Sequence, residues 1–475
     1  MFQRRYRMRG KKTVLVVAVA LLCMVGLIVS AYAITPEEMR SEMEKANIDW
    51  RSCAGQTITV NLSRIPHAEA MVDLITEFEQ LTGLRVNFEI LSDEEYWNKL
   101  TIDFASGAGF FDVVYTGNIF YNYIAAGWLE PLGKYLNDPT YTDLDWYDPD
   151  DFWKIAWEVS MWDGKTIGPN TYGIGDIYHI PFTSESTILS YRKDLFAKYG
   201  LTVPTSWPEL LDTAKKLTRD GGYGFISRGS RKWSTIAYNG YSNGYYAYGG
   251  GDFDQNLNPI FDRAPGVEFT ELWGELCRET TPPGFLSTTW EDARSLFMSG
   301  ANYGMCMEAD TFLLSWENED ISEVVGKLGY SHTPGGPAGH CAGYWTWNIG
   351  INSAISEKDK KASWLFVQWA TSKPFLLRAT ADFLTFPPTR KSVWFHPSVV
   401  AMTEKWDNGS YRKVFTETME YKYTRVPWTI SPEMTTINEL WAEAVQKVIM
   451  KEVTAKEALT ALGKKAEEIM EKYKK

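Results

Sequence analysis

Alternating apolar and polar positions in the first third of the chain predict strands separated by a helix. Residues 57–62 alternate as in a strand, residues 68–81 carry apolar side chains at helical spacing, and residues 84–91 alternate again. A strand, a helix and a second strand in this order form a βαβ unit, whose two strands are parallel. We therefore expect a parallel sheet covered by helices.

Strands and helices continue to alternate along the rest of the chain. Short strands are predicted at 112–115, 224–226, 303–307 and 349–355, and roughly the last 40 residues have helical periodicity. Residues 137–175 are rich in Asp, Trp, Pro and Gly, which predicts an irregular insertion. The pattern favours an α/β fold, and a chain of 475 residues favours two or three domains.

Two short helices on either side of residue 200 have well-marked ends. Asp194 is a candidate N-cap for the first helix, and Gly200 suits the left-handed position that follows its last turn. Pro204 keeps the connector extended, and Ser206 with Glu209 forms a capping box for the second helix. These signals predict two closely spaced helices with a rigid connection.

Several segments, taken in order, indicate a family. The segment 191–211 reads YRKDLFAKYGLTVPTSWPELL, and further matching pieces lie at 78–83, 105–113, 126–132, 297–300 and 387–390 and in the C-terminal helices. From about residue 56 to the end, the chain resembles the extracellular solute-binding proteins of family 1, which serve ABC importers. It departs from the family pattern in the insertion after Asn137 and in Ser206, where the family often has Thr.

The resemblance implies a two-lobed periplasmic-binding-protein type II fold. In such a fold each lobe is a mixed, mainly parallel sheet flanked by helices, and crossover hinge strands join the lobes. Lobe 1 would comprise 34–178 and 347–392, and lobe 2 would comprise 179–346 and 393–475. The crossovers are expected near 178–182, near 344–349 and after Arg390. The two capped helices would be the first elements of lobe 2.

The N-terminus has the pattern of a secretory signal. Six basic residues precede the continuous apolar run 14–29, and Ala31-Tyr32-Ala33 is a small-x-small cleavage pattern. Residues 1–33 are therefore predicted to be a signal peptide, and an uncleaved membrane anchor remains the alternative. In both cases the remainder of the chain would be exported, to the periplasm or the cell surface.

Charge and cysteine content exclude several classes of partner and cofactor. A net charge of −12 argues against binding to nucleic acid or to anionic lipid. Cys53, Cys277, Cys306 and Cys341 allow three complete pairings, and the favoured interpretation is buried thiols or one disulfide. None of them forms a C-x-x-C pair, so we expect neither a metal site nor another cofactor. A monomer is expected.

Aromatic residues, which make up 15% of the chain, are concentrated in two stretches. One begins at Trp233, and the other contains Tyr344, Trp345 and Trp347 at the second predicted crossover. One face of a sugar ring consists of C–H groups that pack on an aromatic plane, while its hydroxyls need hydrogen-bonding partners. These four residues are therefore candidates for carbohydrate binding, with burial in the core as the alternative.

Polar residues at the carboxyl ends of the predicted strands are further candidates. Ligands of open α/β sheets bind beyond these ends. The rule selects Ser63, Arg64, His67, Tyr115, Thr116, Asn118, Arg228, Glu308 and Asp310. Arg390, at the third crossover, is added because its side chain could reach the cleft. The alternatives are helix capping or a solvated loop and, for Arg390, a carboxylate of one lobe.

The predicted function is that of a non-enzymatic receptor. It would capture a carbohydrate between the two lobes and deliver it to the permease of an ABC importer. Gly240 to Gly244 matches the G-x-S-x-G elbow of hydrolases, but no buried strand is predicted before Ser242. A secreted glycoside hydrolase remains the alternative; it needs two carboxyl groups about 5–10 Å apart across the scissile bond, which Glu308 and Asp310 could only mimic. Among receptors, the competing ligands are a polyol, glycerol phosphate and a polyamine.

Overall fold

The computed structural model describes residues 34–117, 121–237, 240–383, 385–420, 424–425 and 428–474. The predicted signal segment 1–33 and the candidate Asn118 lie outside the described residues, and the side chain of His67 is not described. The strands are β1 Thr57–Ser63, β2 Arg85–Leu91, β3 Val113–Gly117, β4 Met161–Trp162, β5 Gly168–Pro169, β6 Asp176–Ile177, β7 His179–Arg192, β8 Tyr223–Ile226, β9 Tyr303–Ala309, β10 Leu328–Ser331, β11 Ala342–Ile351, β12 Thr424–Arg425 and β13 Thr429–Ile430.

Helices pack against the sheet and account for most of the remaining described chain. They are α1 Pro36–Met43, α2 Pro66–Asp73, α3 Ile75–Thr82, α4 Asp93–Ser106, α5 Tyr121–Ala125, α6 Gly133–Leu136, α7 Leu144–Tyr147, α8 Lys154–Glu158, α9 Lys193–Tyr199, α10 Trp207–Leu217, α11 Trp233–Ala237, α12 Gly240–Ala247, α13 Ala264–Thr280, α14 Trp290–Met298, α15 Leu313–Trp316, α16 Glu357–Thr371, α17 Lys373–Phe383, α18 Lys391–Trp394, α19 Pro397–Thr403, α20 Ser410–Met419, α21 Met434–Ile449 and α22 Ala455–Met470. Short 3₁₀ helices lie at Pro149–Asp151, Phe285–Ser287, Asp310–Phe312, Asp407–Gly409 and Glu471–Tyr473.

The main sheet is mixed and has the strand order β2-β1-β3-β11-β7-β9-β8. At one end β1 is parallel to both β2 and β3, and at the other end β8 is parallel to β9. Between them, β11 is antiparallel to β3 and to β7, and β7 is antiparallel to β9. The predicted α/β class and the parallel βαβ unit are confirmed.

Two long strands cross from one end of this sheet to the other. The first part of β7 pairs with β11, as in His179 with Gly350, and its last part pairs with β9, as in Tyr191 with Met305. The end of β11 also pairs with β3, as in Ile351 with Val113. We call the β1–β3 end lobe 1, the β8–β10 end lobe 2, and β7 with β11 the crossing strands.

The predicted element boundaries differ from the structure at three points. The helix predicted over 68–81 is two helices, α2 and α3, because the backbone leaves the helical region at Leu74. The strand predicted at 349–355 is β11, which begins and ends earlier. Asp194 is not an N-cap, since it lies in the first turn of α9 and pairs with Arg192.

Other local predictions are confirmed. Gly200 ends α9 in the left-handed conformation, with φ of 62°, and Ser206 and Glu209 form the capping box of α10. The insertion 137–175 contains only short helices and two-residue strands. All four described cysteines are buried free thiols, so their thiols form no disulfide.

Candidate functional site

A cleft of about 890 Å³ lies where the crossing strands separate the two lobes. Lobe 1 contributes residues near the N-terminal ends of α2 and α4, and the crossing strands form the floor of the cleft. Lobe 2 forms the opposite wall. The lining residues are Ile65, Glu69, Trp97 and Asn98 from lobe 1; Glu185, Trp345 and Trp347 from the crossing strands; and Arg228, Ser230, Lys232, Trp233, Ser234, Thr289, Trp290, Glu291, Arg294, Thr311, Phe312, Leu314, Ser315, Asn318, Ile321 and Glu439 from lobe 2.

Four tryptophans form a connected aromatic surface across the cleft floor, which we call the inner platform. Trp233 of lobe 2 stacks on Trp345, with ring centroids 5.7 Å apart. Trp345 contacts Trp347 edge to face at 5.5 Å, and Trp347 stacks on Trp97 of lobe 1 at 6.2 Å. The inner platform therefore connects both lobes through the crossing strand β11.

Strand geometry explains why the two central rings face the cleft. Successive side chains of a strand point to opposite sides, so Trp345 and Trp347 share one face of β11. Tyr115 lies behind Trp347 and stacks on it at 5.1 Å with nearly parallel planes. A Cβ at Gly117 would overlap the ring of Trp345, so the glycine leaves room for that ring above the end of β3.

A carboxylate lies between these rings. Glu185 of β7 is opposite Trp345 in the sheet, and its Oε1 accepts a hydrogen bond of 2.9 Å from Nε1 of Trp347. The side chain lines the cleft although its residue is only 6% exposed. A carboxylate held in this way can accept hydrogen bonds from hydroxyl groups of a ligand that packs on the rings.

Arg228 lines the cleft from the end of β8, but its charge is already compensated. Its Nη2 lies 2.6 Å from Oε2 of Glu308, and its Nε lies 3.1 Å from both carboxylate oxygens. The backbone N–H of Arg228 donates to the same carboxylate at 2.9 Å. Both side chains are almost fully buried. The pair fixes the lobe 2 wall and leaves little free charge for an anionic ligand.

A second carboxylic acid lies behind the same wall. Oδ1 of Asp310 accepts from the backbone N–H of Ser186 at 3.0 Å, and Oδ2 accepts from the hydroxyls of Ser186 and Tyr411 at 2.9 and 3.2 Å. Complete burial, with a smaller contribution from the nearby carboxylate of Glu185, raises the pKa of Asp310 to about 7, although the hydrogen bonds from Ser186 and Tyr411 act in the opposite direction. Asp310 ties β9 to the crossing strand β7 and to α20.

A second aromatic surface, which we call the outer platform, lies on lobe 2. Trp290 at the start of α14 stacks on Phe312 at 5.8 Å with an angle of 23° between the planes. The guanidinium of Arg294, one turn later in α14, lies 5.5 Å from the Trp290 ring centroid. A capping box formed by Thr289 and Asp292 fixes the start of this helix.

The structure brings four of the candidate site residues together at the cleft: Arg228, Trp233, Trp345 and Trp347. Tyr115 supports them from behind. Ser63 and Thr116 are buried in the sheet, with Thr116 bonded to Nδ1 of His179, and Tyr344 points to the opposite face of β11, where its hydroxyl contacts Ser184. Arg64 is exposed but is not among the residues that line the cleft.

Three charged candidates do not line the cleft. Glu308 is occupied by Arg228, and Asp310 by Ser186 and Tyr411. Arg390 is fully buried at the third crossover, where its Nε donates to the carbonyl of Thr371 at 2.7 Å and its guanidinium lies 3.6 Å from Asp151. Arg390 therefore has the role given as its alternative in the sequence analysis, an ion pair with a carboxylate of one lobe. The position of a residue in the sequence did not reveal the direction of its side chain.

Sequence reasoning missed several lining residues. Glu185 lies in the middle of a strand, so a rule that considers strand ends does not select it. Trp97 is one turn into the helix that follows β2, and the same rule extended to that strand would have pointed to it. Trp290 and Arg294 begin a helix before β9, and no local pattern reveals that this helix end faces the cleft.

The described residues also bear on two other features, metal sites and membrane-spanning helices. No cluster of three or more His, Cys, Asp or Glu side chains among the described residues is placed to hold a metal ion. Within the same residues, no helix has both the length and the apolar character needed to cross a bilayer.

Comparison with known proteins agrees with this architecture. Residues 65–374 match the family model described as bacterial extracellular solute-binding protein. The chain is 29% identical over 354 residues to the erythritol/L-threitol-binding protein of Mycolicibacterium smegmatis, covering 73% of each chain. It is 27% identical over 330 residues to the mannitol-binding protein of Pseudomonas aeruginosa, covering 66% of this chain and 69% of that one.

Solved structures show the same fold. An ABC transporter solute-binding protein from Agrobacterium radiobacter in complex with ribitol is 26% identical, with a TM-score of 0.73, and the match covers 88% of this chain and 99% of that one. Maltose-bound MalE3 of Thermotoga maritima has the same TM-score at 22% identity, covering 87% and 100%. The two-lobed fold is therefore confirmed, and the chain belongs to the bacterial extracellular solute-binding proteins.

Proposed function

We propose that this protein captures a carbohydrate or a polyol in the cleft and delivers it to the permease of an ABC importer. The observation that carries the proposal is the arrangement of Trp345, Trp347 and Glu185 on the crossing strands. Two aromatic planes and a carboxylate on one surface match a ligand that has C–H groups on one face and hydroxyls around its edge.

The similar proteins support this class of ligand. Two relatives are named for erythritol, L-threitol and mannitol, and a structure at 26% identity holds ribitol. These ligands are uncharged and rich in hydroxyls. The Arg228–Glu308 pair agrees with an uncharged ligand, because the buried arginine already has its counter-charge. A phosphate ester or a polyamine is charged and would need a counter-charge in the cleft, and this pair, whose two charges neutralise each other, does not supply one.

Closure of the lobes around the ligand is part of the proposal. The division into 34–178 with 347–392 and 179–346 with 393–475 has three changes of lobe: the first at the start of β7, the second within β11 and the third within α18. Ligand that contacts both walls would stabilise a closed form, and the permease would recognise that form. The proposal also includes cleavage after Ala33, with tethering through an uncleaved segment as the alternative. The receptor is proposed to be a monomer.

The alternative function, a glycoside hydrolase, receives less support. Such an enzyme needs two carboxyl groups about 5–10 Å apart on either side of the scissile bond. Glu308 is fully buried and bonded to Arg228, and Asp310 is fully buried and bonded to Ser186 and Tyr411. Neither residue lines the cleft, so the two carboxyl groups weighed for this alternative are not available for catalysis.

A thermal-shift screen followed by calorimetry tests the proposal. The panel contains polyols, monosaccharides, oligosaccharides, glycerol 3-phosphate and spermidine. At 100 times its dissociation constant, a bound ligand stabilises the native state by about 2.7 kcal/mol, so a carbohydrate or polyol should raise the melting temperature by several degrees. Stabilisation only by the phosphate ester or the polyamine would contradict the ligand class. Multiple turnovers of an oligosaccharide would contradict the receptor function.

A further inference from the structure

The outer platform extends the cleft beyond the inner platform. Trp290 and Phe312 stack on each other, and both line the cleft from elements that carry none of the four inner tryptophans. Leu314 and Ile321 continue this end of the cleft, and Ile321 is 55% exposed although it is a large apolar residue. An exposed apolar surface at the edge of a binding cleft is a feature that usually has a function.

Arg294 adds a charged group to the outer platform. Among the described residues, no carboxylate lies within ion-pair distance of its guanidinium, and its buried Nε has no hydrogen-bond partner. This differs from Arg228, whose guanidinium is bound by Glu308. The guanidinium carbon lies 5.5 Å from the centroid of the Trp290 ring, a cation–π contact that orients the side chain toward a ligand in the cleft. An oriented arginine donates two parallel hydrogen bonds to neighbouring oxygen atoms.

The size of the cleft agrees with an occupant larger than one sugar unit. Its volume of about 890 Å³ lies near the upper end of the roughly 300–1,000 Å³ that is typical of drug-sized ligands. A four-carbon polyol on the inner platform would leave the outer platform in contact with water. Two separate aromatic surfaces, the inner platform and the outer platform, are explained better by two consecutive rings of one ligand.

We propose that the ligand is a glycan or glycoside of at least two linked sugar units, and that Trp290 and Arg294 select for the second unit. One unit packs on the inner platform, and the next unit contacts the outer platform while its hydroxyl oxygens accept hydrogen bonds from Arg294. This inference rests on the proposed function and narrows its substrate class. It differs from the short polyols named for the relatives.

Size-fractionated hydrolysates of plant and fungal polysaccharides test the length requirement for many linkages at once. The purified protein is equilibrated with a one-unit pool, a pool of two to four units, and a mixture of erythritol, ribitol and mannitol. Retained compounds are identified by mass spectrometry, and their affinities are measured by calorimetry. We expect the best compound of two or more units to bind at least tenfold more tightly than any monosaccharide or free polyol.

Two results would separate this inference from the proposed function. If a monosaccharide or a free polyol binds as tightly as the best longer compound, the length requirement is wrong and the receptor function stands. If no carbohydrate or polyol in any pool binds, the proposed function is wrong, and the inference is wrong with it.

Variants of the outer platform provide the second measurement. Trp290→Ala and Arg294→Gln should each weaken binding of the longer ligand by tenfold or more, while affinity for its one-unit fragment and the unliganded melting temperature remain unchanged. Trp157→Ala and Arg412→Gln are matched controls. Trp157 packs against Phe152 with ring centroids 5.1 Å apart, the guanidinium carbon of Arg412 lies 4.6 Å from the Trp394 ring centroid, and none of these residues lines the cleft. Equal loss for both ligand lengths, or no loss for either, would overturn the assignment of Trp290 and Arg294.

Discussion

The two walls of the cleft differ in how firmly they are held in the unliganded protein. The lobe 2 wall has the outer platform, Trp233 stacked on Trp345, and the buried Arg228–Glu308 pair behind it. The lobe 1 wall has four lining residues near the N-terminal ends of two helices, and of these only Trp97 is aromatic. Trp97 contacts the rest of the inner platform through Trp347.

This difference indicates that the two walls contribute differently to ligand affinity and to closure of the lobes. A surface that is already packed and hydrogen-bonded loses little conformational freedom when a ligand arrives, so it contributes most of the affinity. A small surface on the other lobe gains contacts mainly when the lobes approach each other, so it affects closure more than initial binding. We therefore expect substitutions in lobe 2 and its crossing strands to have larger effects than substitutions in lobe 1.

The largest effect is expected from breaking the ion pair behind the lobe 2 wall. Arg228→Met leaves the carboxylate of Glu308 buried without its counter-charge, and removing one partner of a buried pair costs about 3–5 kcal/mol. We expect urea denaturation to show a loss of this size in the free energy of unfolding.

The double variant Arg228→Met with Glu308→Leu is the matched control. It removes both charges and should recover most of the lost stability, because an apolar pair of similar volume avoids the desolvation cost. A single variant as stable as the wild type would mean that the pair does not support this wall.

The next effect concerns Asp310, which lies behind the same wall. Burial raises its folded pKa from 3.8 to about 7, so the folded state holds a proton that the unfolded state releases. The resulting stabilisation is complete below about pH 4 and is lost as the pH rises through about 7. One pKa unit corresponds to about 1.4 kcal/mol, so the change is at most about 4 kcal/mol.

Comparison with Asp310→Asn isolates this contribution. The stability of the wild type minus that of the variant, measured by denaturation from pH 4 to pH 8, should decrease across this range. Asp112 of lobe 1 has a pKa that burial raises to about 6, but it is present in both proteins and cancels in the difference. A difference that is independent of pH would show that Asp310 is ionised throughout.

Much of this fold could be predicted because strands and helices leave regular patterns in the sequence. The strand around β1 was predicted from alternating positions, and the strands around β8 and β9 from the alternation of strand and helix segments. Trp345 and Trp347 were selected because they are aromatic residues at a predicted crossover. The contacts between residues of different strands could not be predicted in the same way. Glu308 lies 80 residues from Arg228, and only the parallel pairing of β8 with β9 brings the two together.

The main feature that could not be predicted from the sequence was which helix ends lie at the cleft. Trp97 and Trp290 both lie near the start of a helix, and the capping signals at Ser92 and Thr289 indicate where those helices begin. No local signal states which helix ends surround the cleft, because the packing of helices against the sheet decides it. The same gap led to the choice of Arg390, whose guanidinium points into lobe contacts instead.

Removal of a lobe 2 ring from the inner platform should affect binding more than stability. Trp233 is half-buried and stacks on Trp345, so Trp233→Ala should weaken ligand binding by tenfold or more, equivalent to about 1.4 kcal/mol, with little change in the unliganded melting temperature. Trp345 is only 2% exposed, so its replacement by Ala should also reduce stability, as for a core aromatic. Trp347→Ala completes the series, since that ring is half-buried.

Trp157→Ala again serves as the control for loss of a half-buried tryptophan outside the cleft. Calorimetry and thermal unfolding are measured on each variant. If all three inner variants unfold early and bind ligand normally once folded, these rings belong to the core and the cleft assignment is wrong.

The smallest effect is expected from the lobe 1 wall. Trp97 contributes one face to the inner platform, and Trp97→Ala leaves Trp347 still stacked on Tyr115. We therefore expect less than a tenfold loss in affinity. Because this ring would meet the ligand mainly in the closed form, the variant should also show a smaller ligand-dependent decrease in radius of gyration, measured by small-angle scattering at saturating ligand. An affinity loss larger than that of Trp233→Ala would reverse the comparison, since lobe 1 would then supply the principal binding surface. Unchanged affinity together with unchanged compaction would remove Trp97 from the site, and lobe 1 would have to engage the ligand through Glu69 or Asn98 instead.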